Sequence, residues 1–147
     1  VHAFIVGEHG DSELAAWSCA NIYGIRLEEF AKLRGFRTFD SEMDEIYHAV
    51  RDSAYEIIER KRATYYGIGM AAARIAEAIV RDSHTVMPVS VSLNGEYGLS
   101  GLCLSIPAIV GKGGAEQILE IGFSKEEMDK LGRSAEELKS VLENVNS

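Results

Sequence analysis

Residues 85–110 read TVMPVSVSLNGEYGLSGLCLSIPAIV, and they predict the sheet around which the rest of the chain packs. From Thr85 to Leu93 the apolar and polar side chains follow the alternation of a strand with one buried face. The run meets Asn94-Gly95, a pair typical of two-residue hairpin turns, and a second strand-like run extends from Leu102 to Val110. Two antiparallel strands joined by a tight turn are therefore predicted.

A second turn follows at Lys112-Gly113-Gly114. We expect it to lead into a third antiparallel strand from Gln117 to Ile121, which completes a β-meander. Pro107 has no N–H to donate, so its run is predicted at a sheet edge or at a bulge.

Helical patterns lie before and after the meander. The first predicts an amphipathic helix from about Asp40 to Arg62, and Ile68 to Val80 predicts a second after a junction that its glycines allow to bend. Ser124-Lys125-Glu126-Glu127 has the form of a capping box and predicts a terminal helix that docks on the sheet. The apolar faces comprise Met43, Ile46, Val50, Ala54, Ile57 and Ile58 in the first helix, and Met128, Leu131, Ala135, Leu138, Leu142 and Val145 in the last.

No repeat or change of composition divides the chain, so residues 1–147 are predicted to form one α+β domain, an antiparallel meander packed against long helices. The formal net charge of -8 disfavours nucleic acid and anionic membranes as partners. Cys19 and Cys103 form no C-x-x-C pair, and no apolar run is long enough to span a bilayer; we expect a cytoplasmic location. The abrupt apolar start at Val1 suggests a piece of a longer polypeptide.

The main candidate for chemistry is His9, in Val6-Gly7-Glu8-His9-Gly10-Asp11-Ser12-Glu13. Val1 to Val6 predicts a short buried strand, and its two following glycines permit a tight turn that exposes the imidazole. Histidine titrates near neutral pH and exchanges protons with a hydroxyl or carbonyl oxygen. From composition alone a solvated loop histidine is the commoner outcome, and Asp11 with Ser12 equally suits a helix N-cap.

Three segments resemble the lactate and malate dehydrogenase family, and its lactate branch in particular. GEHGDSE, led by VHAFIV and followed by Trp17-Ser18, resembles the catalytic-histidine segment. RDSAYEIIERKRATYYGIGMAAARIAEAI resembles the long helix and active-site junction, and LNGEYGLSGLCLSIPAIVGKGGAEQILEI the C-terminal meander. Nearly the whole chain is covered.

The resemblance implies the C-terminal, substrate-binding domain of an NAD-dependent L-lactate dehydrogenase of glycolysis and fermentation. His9 would protonate the carbonyl oxygen of pyruvate as hydride arrives from NADH, and would act as the base in reverse. Thr64 would line the substrate pocket, and Ile68 would pack on the nicotinamide ring. Without the resemblance, simple helix packing explains Thr64 and Ile68.

The resemblance also places several groups in an N-terminal nucleotide-binding (Rossmann) half outside this chain: the dinucleotide turn, the aspartate that orients the imidazole and two substrate-binding arginines. We therefore expect the chain alone to be inactive. The complete enzyme is expected to be a homo-oligomer, a tetramer, and His2 stands where allosteric members receive fructose 1,6-bisphosphate.

Two further patterns in the sequence resemble ligand sites but lack the required context. Gly67-Ile68-Gly69-Met70-Ala71-Ala72 fits G-x-G-x-x-A but follows a charged helical run instead of a strand, so it does not predict a dinucleotide site. His2, Glu8, His9 and Asp11 lack H-E-x-x-H or paired-cysteine spacing, and no metal is predicted. Two alternatives to lactate dehydrogenase stay open: a malate or branched 2-hydroxy acid dehydrogenase domain, and a non-catalytic domain that self-associates through its helices.

Overall fold

A computed structural model describes residues 1–145 and shows a mixture of helix and antiparallel sheet, which confirms the predicted fold class. In chain order the elements of this part are β1 (Ile5–Val6), β2 (Leu14–Ala15), β3 (Asn21–Ile22), β4 (Ile25–Arg26), α1 (Leu27–Leu33), α2 (Phe39–Lys61), α3 (Tyr66–Val80), β5 (Thr85–Asn94), β6 (Ser100–Gly111), β7 (Gly114–Ile118) and α4 (Lys125–Val145). No helix within residues 1–145 is both long enough and apolar enough to cross a bilayer.

The meander is confirmed as a three-stranded antiparallel sheet in the order β5-β6-β7. The predicted bounds of the third strand, Gln117 to Ile121, were wrong, because β7 runs from Gly114 to Ile118. Gly111 pairs directly with Gly114, so Lys112 and Gly113 form the whole turn and the return strand begins at once.

The connection between β5 and β6 is longer than predicted. It spans residues 95–99 and contains a short 3₁₀ turn, Glu96–Gly98, instead of a two-residue hairpin. The side chain of Tyr97 explains the difference, because its hydroxyl donates to the carbonyl of Leu119 at 2.7 Å and its ring stacks on Phe123 at 5.1 Å. This anchor draws the turn over the end of the sheet.

The run that contains Pro107 does not lie at a sheet edge, because β6 is the central strand, but it does contain a register shift toward β7 between Ile109 and Val110. The Pro107 carbonyl accepts the N–H of Leu119 at 2.9 Å, just beyond the end of β7. Since the nitrogen and carbonyl of one strand residue face the same side, the missing N–H points to the place where the ladder ends. The missing N–H of Pro107 therefore costs the sheet few hydrogen bonds.

The core lies between the sheet, the first strands and α4. Helix α4 docks on the sheet as predicted, and its capping box forms: Ser124 N–H donates to Glu127 Oε2 at 2.7 Å, and Glu127 N–H donates to Ser124 Oγ at 3.2 Å. The buried members of the main cluster are Val6, Leu14, Ala16, Leu93, Leu102, Leu104, Ile106, Leu131 and Ala135.

Helices α2 and α3 lie where the sequence predicts them, but α2 packs differently. It has no buried residue, and Ile46 and Val50 of its apolar face are 46% and 47% exposed. The predicted glycine bend was also wrong: Gly67 and Gly69 lie inside α3, and Arg62 adopts the left-handed conformation (φ 69°) that ends α2. The apolar face of α2 is therefore left largely uncovered by residues 1–145.

Candidate active site

The candidate site begins at the end of β1, which is shorter than predicted. Gly7 exchanges two backbone hydrogen bonds with Ser105 of β6, at 2.8 and 2.9 Å, and this bridge fixes the start of the His9 loop on the sheet. The φ of Gly7 is +98°, and a Cβ there would lie 2.9 Å from Ser134 Oγ. Glycine is required here by both conformation and space.

A buried serine on α4 supports the loop from below. Ser134 is fully buried, and its Oγ accepts the backbone N–H of Glu8 at 2.7 Å. The same Oγ is 3.2 Å from Ser12 Oγ, and the Ser12 hydroxyl donates to Glu8 Oε2 at 2.8 Å. The two ends of the loop are thereby fixed to one point of the terminal helix.

His9 sits at the top of this loop with a side chain that is 97% exposed. Its Nδ1 lies 4.0 Å from Glu13 Oε2, which is an ion-pair distance when the ring is protonated and too long for a hydrogen bond. Within residues 1–145, no group hydrogen-bonds the ring. Burial raises the pKa of Glu13 from its ordinary value of 4.5, and the adjacent His9 charge acts in the opposite direction.

A cavity of about 960 Å³ opens beside His9, between β1, α2, α3 and the sheet. Its helical walls are largely apolar and include Val50 of α2 together with Ile68 and Ile75 of α3. This volume is typical of small-molecule and cofactor sites. Three groups able to transfer a proton, Glu8, His9 and Glu13, therefore lie at a cavity whose helical walls are largely apolar.

The structure brings together some of the predicted site residues and not others. His9 and Ile68 line the same cavity, and the Ile68 side chain is 66% exposed. Thr64 is exposed at the junction of α2 and α3 and does not line the cavity. His2 is exposed at the opposite end of the first segment, where its backbone bridges to Asn21.

Two tyrosines of α2, missed by the sequence analysis, hold the far side of the loop. Tyr47 donates its hydroxyl to the Glu13 carbonyl at 2.6 Å, and Tyr55 donates to Asp11 Oδ1 at 2.8 Å. Hydrogen bonding to the Asp11 carboxylate raises the pKa of Tyr55. Asp11 therefore faces α2 and caps no helix; the tyrosines' spacing of eight residues, about two helical turns, was the available signal.

Comparison with known proteins identifies the family that shares this architecture. The family model described as lactate/malate dehydrogenase, alpha/beta C-terminal domain, matches residues 1–147. The L-lactate dehydrogenase of Acetivibrio thermocellus is 45% identical over 99% of this chain and 46% of its own length, and L-lactate dehydrogenase 1 of Lactobacillus acidophilus is 44% identical over 97% and 44%. The chain thus spans about half the length of these relatives.

Two solved structures share the fold of this chain. A lactate dehydrogenase from a Medee basin deep-sea metagenome library superposes with a TM-score of 0.94 at 39% identity, over 99% of this chain and 46% of that one. The minor L-lactate dehydrogenase of Enterococcus mundtii gives a TM-score of 0.91 at 41% identity, over 98% and 46%. The chain therefore belongs to the lactate/malate dehydrogenase family, as an alpha/beta C-terminal domain.

Proposed function

We propose that this chain is the substrate-facing half of an NAD-dependent L-lactate dehydrogenase, which interconverts pyruvate and L-lactate. The observation that carries the proposal is that His9 and Ile68 line one cavity, so a proton donor lies beside an apolar wall. The names of the relatives, which match this chain over nearly all of its length, support the lactate reaction.

The cavity suits part of the cofactor. The exposed Ile68 side chain offers an apolar surface for a nicotinamide ring, and bound NADH would supply the hydride. The described residues contain no glycine-rich turn between a strand and a helix, because Gly67 and Gly69 lie within α3. We therefore assign only the nicotinamide contact to this chain and the rest of NAD binding to a nucleotide-binding half.

His9 would move the proton. Its Nδ1 lies on the Glu13 side, so we assign Nε2 as the nitrogen that donates to the carbonyl oxygen of pyruvate and accepts from the hydroxyl of lactate. The Glu13 carboxylate would attract the protonated ring. Since no group of the described chain hydrogen-bonds the ring, full activity requires an orienting partner from outside residues 1–145.

The test replaces the matching 46% of the Acetivibrio thermocellus enzyme with this chain and measures NADH oxidation with pyruvate and with oxaloacetate. We expect a preference for pyruvate, and His9→Asn should lower kcat/KM by about 10²–10⁴-fold through loss of the general acid. His48→Asn, at an exposed position of α2, is the matched control. Equal activity of the His9 variant and this control would contradict the proposal.

The same measurement separates the related chemistries. A preference for oxaloacetate or for a branched 2-oxo acid would assign the chain to a malate or branched 2-hydroxy acid dehydrogenase. The 147-residue chain assayed alone should show no turnover, because cofactor binding and ring orientation are incomplete in it. Robust pyruvate-dependent NADH oxidation by the chain alone would overturn that expectation.

The uncovered apolar faces of α2 and α3 favour a second description, a domain that self-associates. Ile46, Ile58 and Met70 are 46%, 45% and 72% exposed, and contiguous apolar surface of this kind usually meets a partner. We propose a cytoplasmic homo-oligomer, a tetramer in the complete enzyme. Sedimentation of the chain over a range of concentrations tests this proposal. A chain that stays monomeric at every concentration would contradict self-association.

Regulation by fructose 1,6-bisphosphate through His2 is a separate proposal. Two backbone hydrogen bonds to Asn21, at 2.8 and 2.9 Å, hold His2 in place, and His2 is exposed to solvent. A sugar bisphosphate could therefore reach the ring without disturbing the strand. Titration of the chimeric enzyme with the bisphosphate, with His2→Asn as the variant, should change activity only when His2 is present.

A further inference from the structure

A second group of potential ligands lies away from the candidate active site, where β5 begins beside the turn between β6 and β7. It consists of Asp82, His84 and Glu116, whose nearest ligand atoms all lie within 4.8 Å of one another. None of the three lines the cavity next to His9. The three side chains therefore lie outside the His9 cavity, although the neighbouring Gly114 and Ala115 line it.

The contacts of His84 indicate which ring nitrogen is available to bind a cation. Its Nδ1 lies 3.0 Å from the backbone carbonyl of Asp82 and 3.7 Å from Asp82 Oδ1, and because both oxygens can only accept, the tautomer that fits these contacts has its proton on Nδ1. In the neutral ring Nε2 is then a lone-pair acceptor, and it lies 3.2 Å from Glu116 Oε2, which is also an acceptor. Two acceptors at this distance need a cation between them, either a proton on Nε2 or a metal ion.

The same arrangement is typical of a metal-binding histidine, whose other ring nitrogen donates to a backbone carbonyl. The carboxylates are also held in place. Asp82 Oδ1 accepts the N–H of Lys112 at 2.8 Å, and Glu116 Oε1 accepts the N–H of Gly113 at 2.8 Å. Each carboxylate keeps lone pairs for a further ligand.

Glycine at position 111 makes this convergence possible. A Cβ there would lie 2.8 Å from Glu116 Oε1 and 3.0 Å from Asp82 Oδ1, so any side chain would push the two carboxylates apart. With a neutral imidazole the group carries two negative charges on an exposed surface, where water can fill the remaining coordination positions of an ion.

We propose that Asp82, His84 and Glu116 bind a divalent transition-metal ion of the zinc type. One imidazole nitrogen and two carboxylate oxygens, with open positions for water, suit Zn²⁺ or Co²⁺, whereas Ca²⁺ and Mg²⁺ prefer sets made of oxygen alone. The bound ion joins the start of β5 to the turn between β6 and β7, and so stabilises that edge of the sheet.

The test is a calorimetric titration of the full 147-residue chain with Zn²⁺. His84→Asn removes the imidazole, and asparagine tolerates the left-handed conformation of this position (φ 48°), so the turn is preserved. We expect this variant to weaken zinc binding at least about tenfold, the loss usual for disturbance of a metal site. His48→Asn, on the exposed surface of α2, is the matched control and should bind zinc like the wild type.

Two isosteric variants test the carboxylates. Asp82→Asn and Glu116→Gln keep an oxygen for the Lys112 and Gly113 N–H groups while removing the charge, and each should weaken zinc binding severalfold. Zinc should also shift the amide resonances of residues 82–84 and 111–116. Wild type that binds no zinc, or equal zinc affinity in wild type and His84→Asn, would overturn the proposal and leave the group as ion pairs alone.

Discussion

Substitution of Ser134 by alanine tests how the terminal helix supports the His9 loop. The Ser134 side chain is fully buried, and its Oγ is the acceptor for the Glu8 N–H at 2.7 Å. Removal of the hydroxyl leaves this N–H without its partner, which costs about 1–3 kcal/mol. Alanine is a better helix former than serine by roughly 0.5 kcal/mol, so the net fall in the free energy of unfolding should be about 0.5–2.5 kcal/mol.

Urea unfolding followed by Trp17 fluorescence measures this loss, because Trp17 is the single tryptophan of the chain. The control is Ser140→Ala at an exposed position of the same helix, where only helix propensity changes and stability should stay level or rise slightly. If both variants have the same midpoint and slope, the Glu8–Ser134 hydrogen bond contributes nothing and the argument for loop support fails.

Three further changes have expected outcomes. Gly7→Ala should cost about 1–3 kcal/mol, because its φ is +98° and its Cβ would meet a buried serine hydroxyl at 2.9 Å; Gly132→Ala in α4, with no atom within 4 Å of its Cβ, should instead be neutral or stabilising, and thermal unfolding compares them. Burial raises the Glu13 pKa above 4.5, so the wild type loses stability as pH rises from about 4.5 through the raised value. The urea midpoint of Glu13→Gln should therefore rise relative to that of the wild type over this window, and a constant difference in midpoint would count against this. Leu131→Ala should cost about 2–5 kcal/mol at a fully buried position, and the partly exposed Leu142→Ala much less; chemical denaturation that ranks them equally would contradict the assigned core.

Much of the fold follows from local patterns in the sequence. The alternation in Thr85 to Leu93, the Lys112-Gly113 turn and the Ser124 capping box each predict an element that the structure contains. Such patterns work because helix and strand periods and turn conformations depend on neighbouring residues only. The resemblance of the His9 segment to the lactate and malate dehydrogenase family also rests on a short run of neighbouring residues.

The errors come from contacts between distant segments. Tyr97 lengthens the β5–β6 turn because it bonds to Leu119, which lies on the far side of the meander. The apolar face of α2 looks like core in the sequence, but helical periodicity shows only that a face is apolar, and the described part of the chain leaves this face largely uncovered.

Local patterns in the sequence predict the α+β class, the meander, the long helices and a histidine in an exposed loop. The packing of distant segments places Ile68 in the cavity of His9 and leaves Thr64 outside it. The same packing sets Ser134 beside Glu8 and brings together Asp82, His84 and Glu116. The physical reason is that periodicity and turn preference act over a few residues, whereas a site is made of side chains that packing brings together from distant parts of the chain.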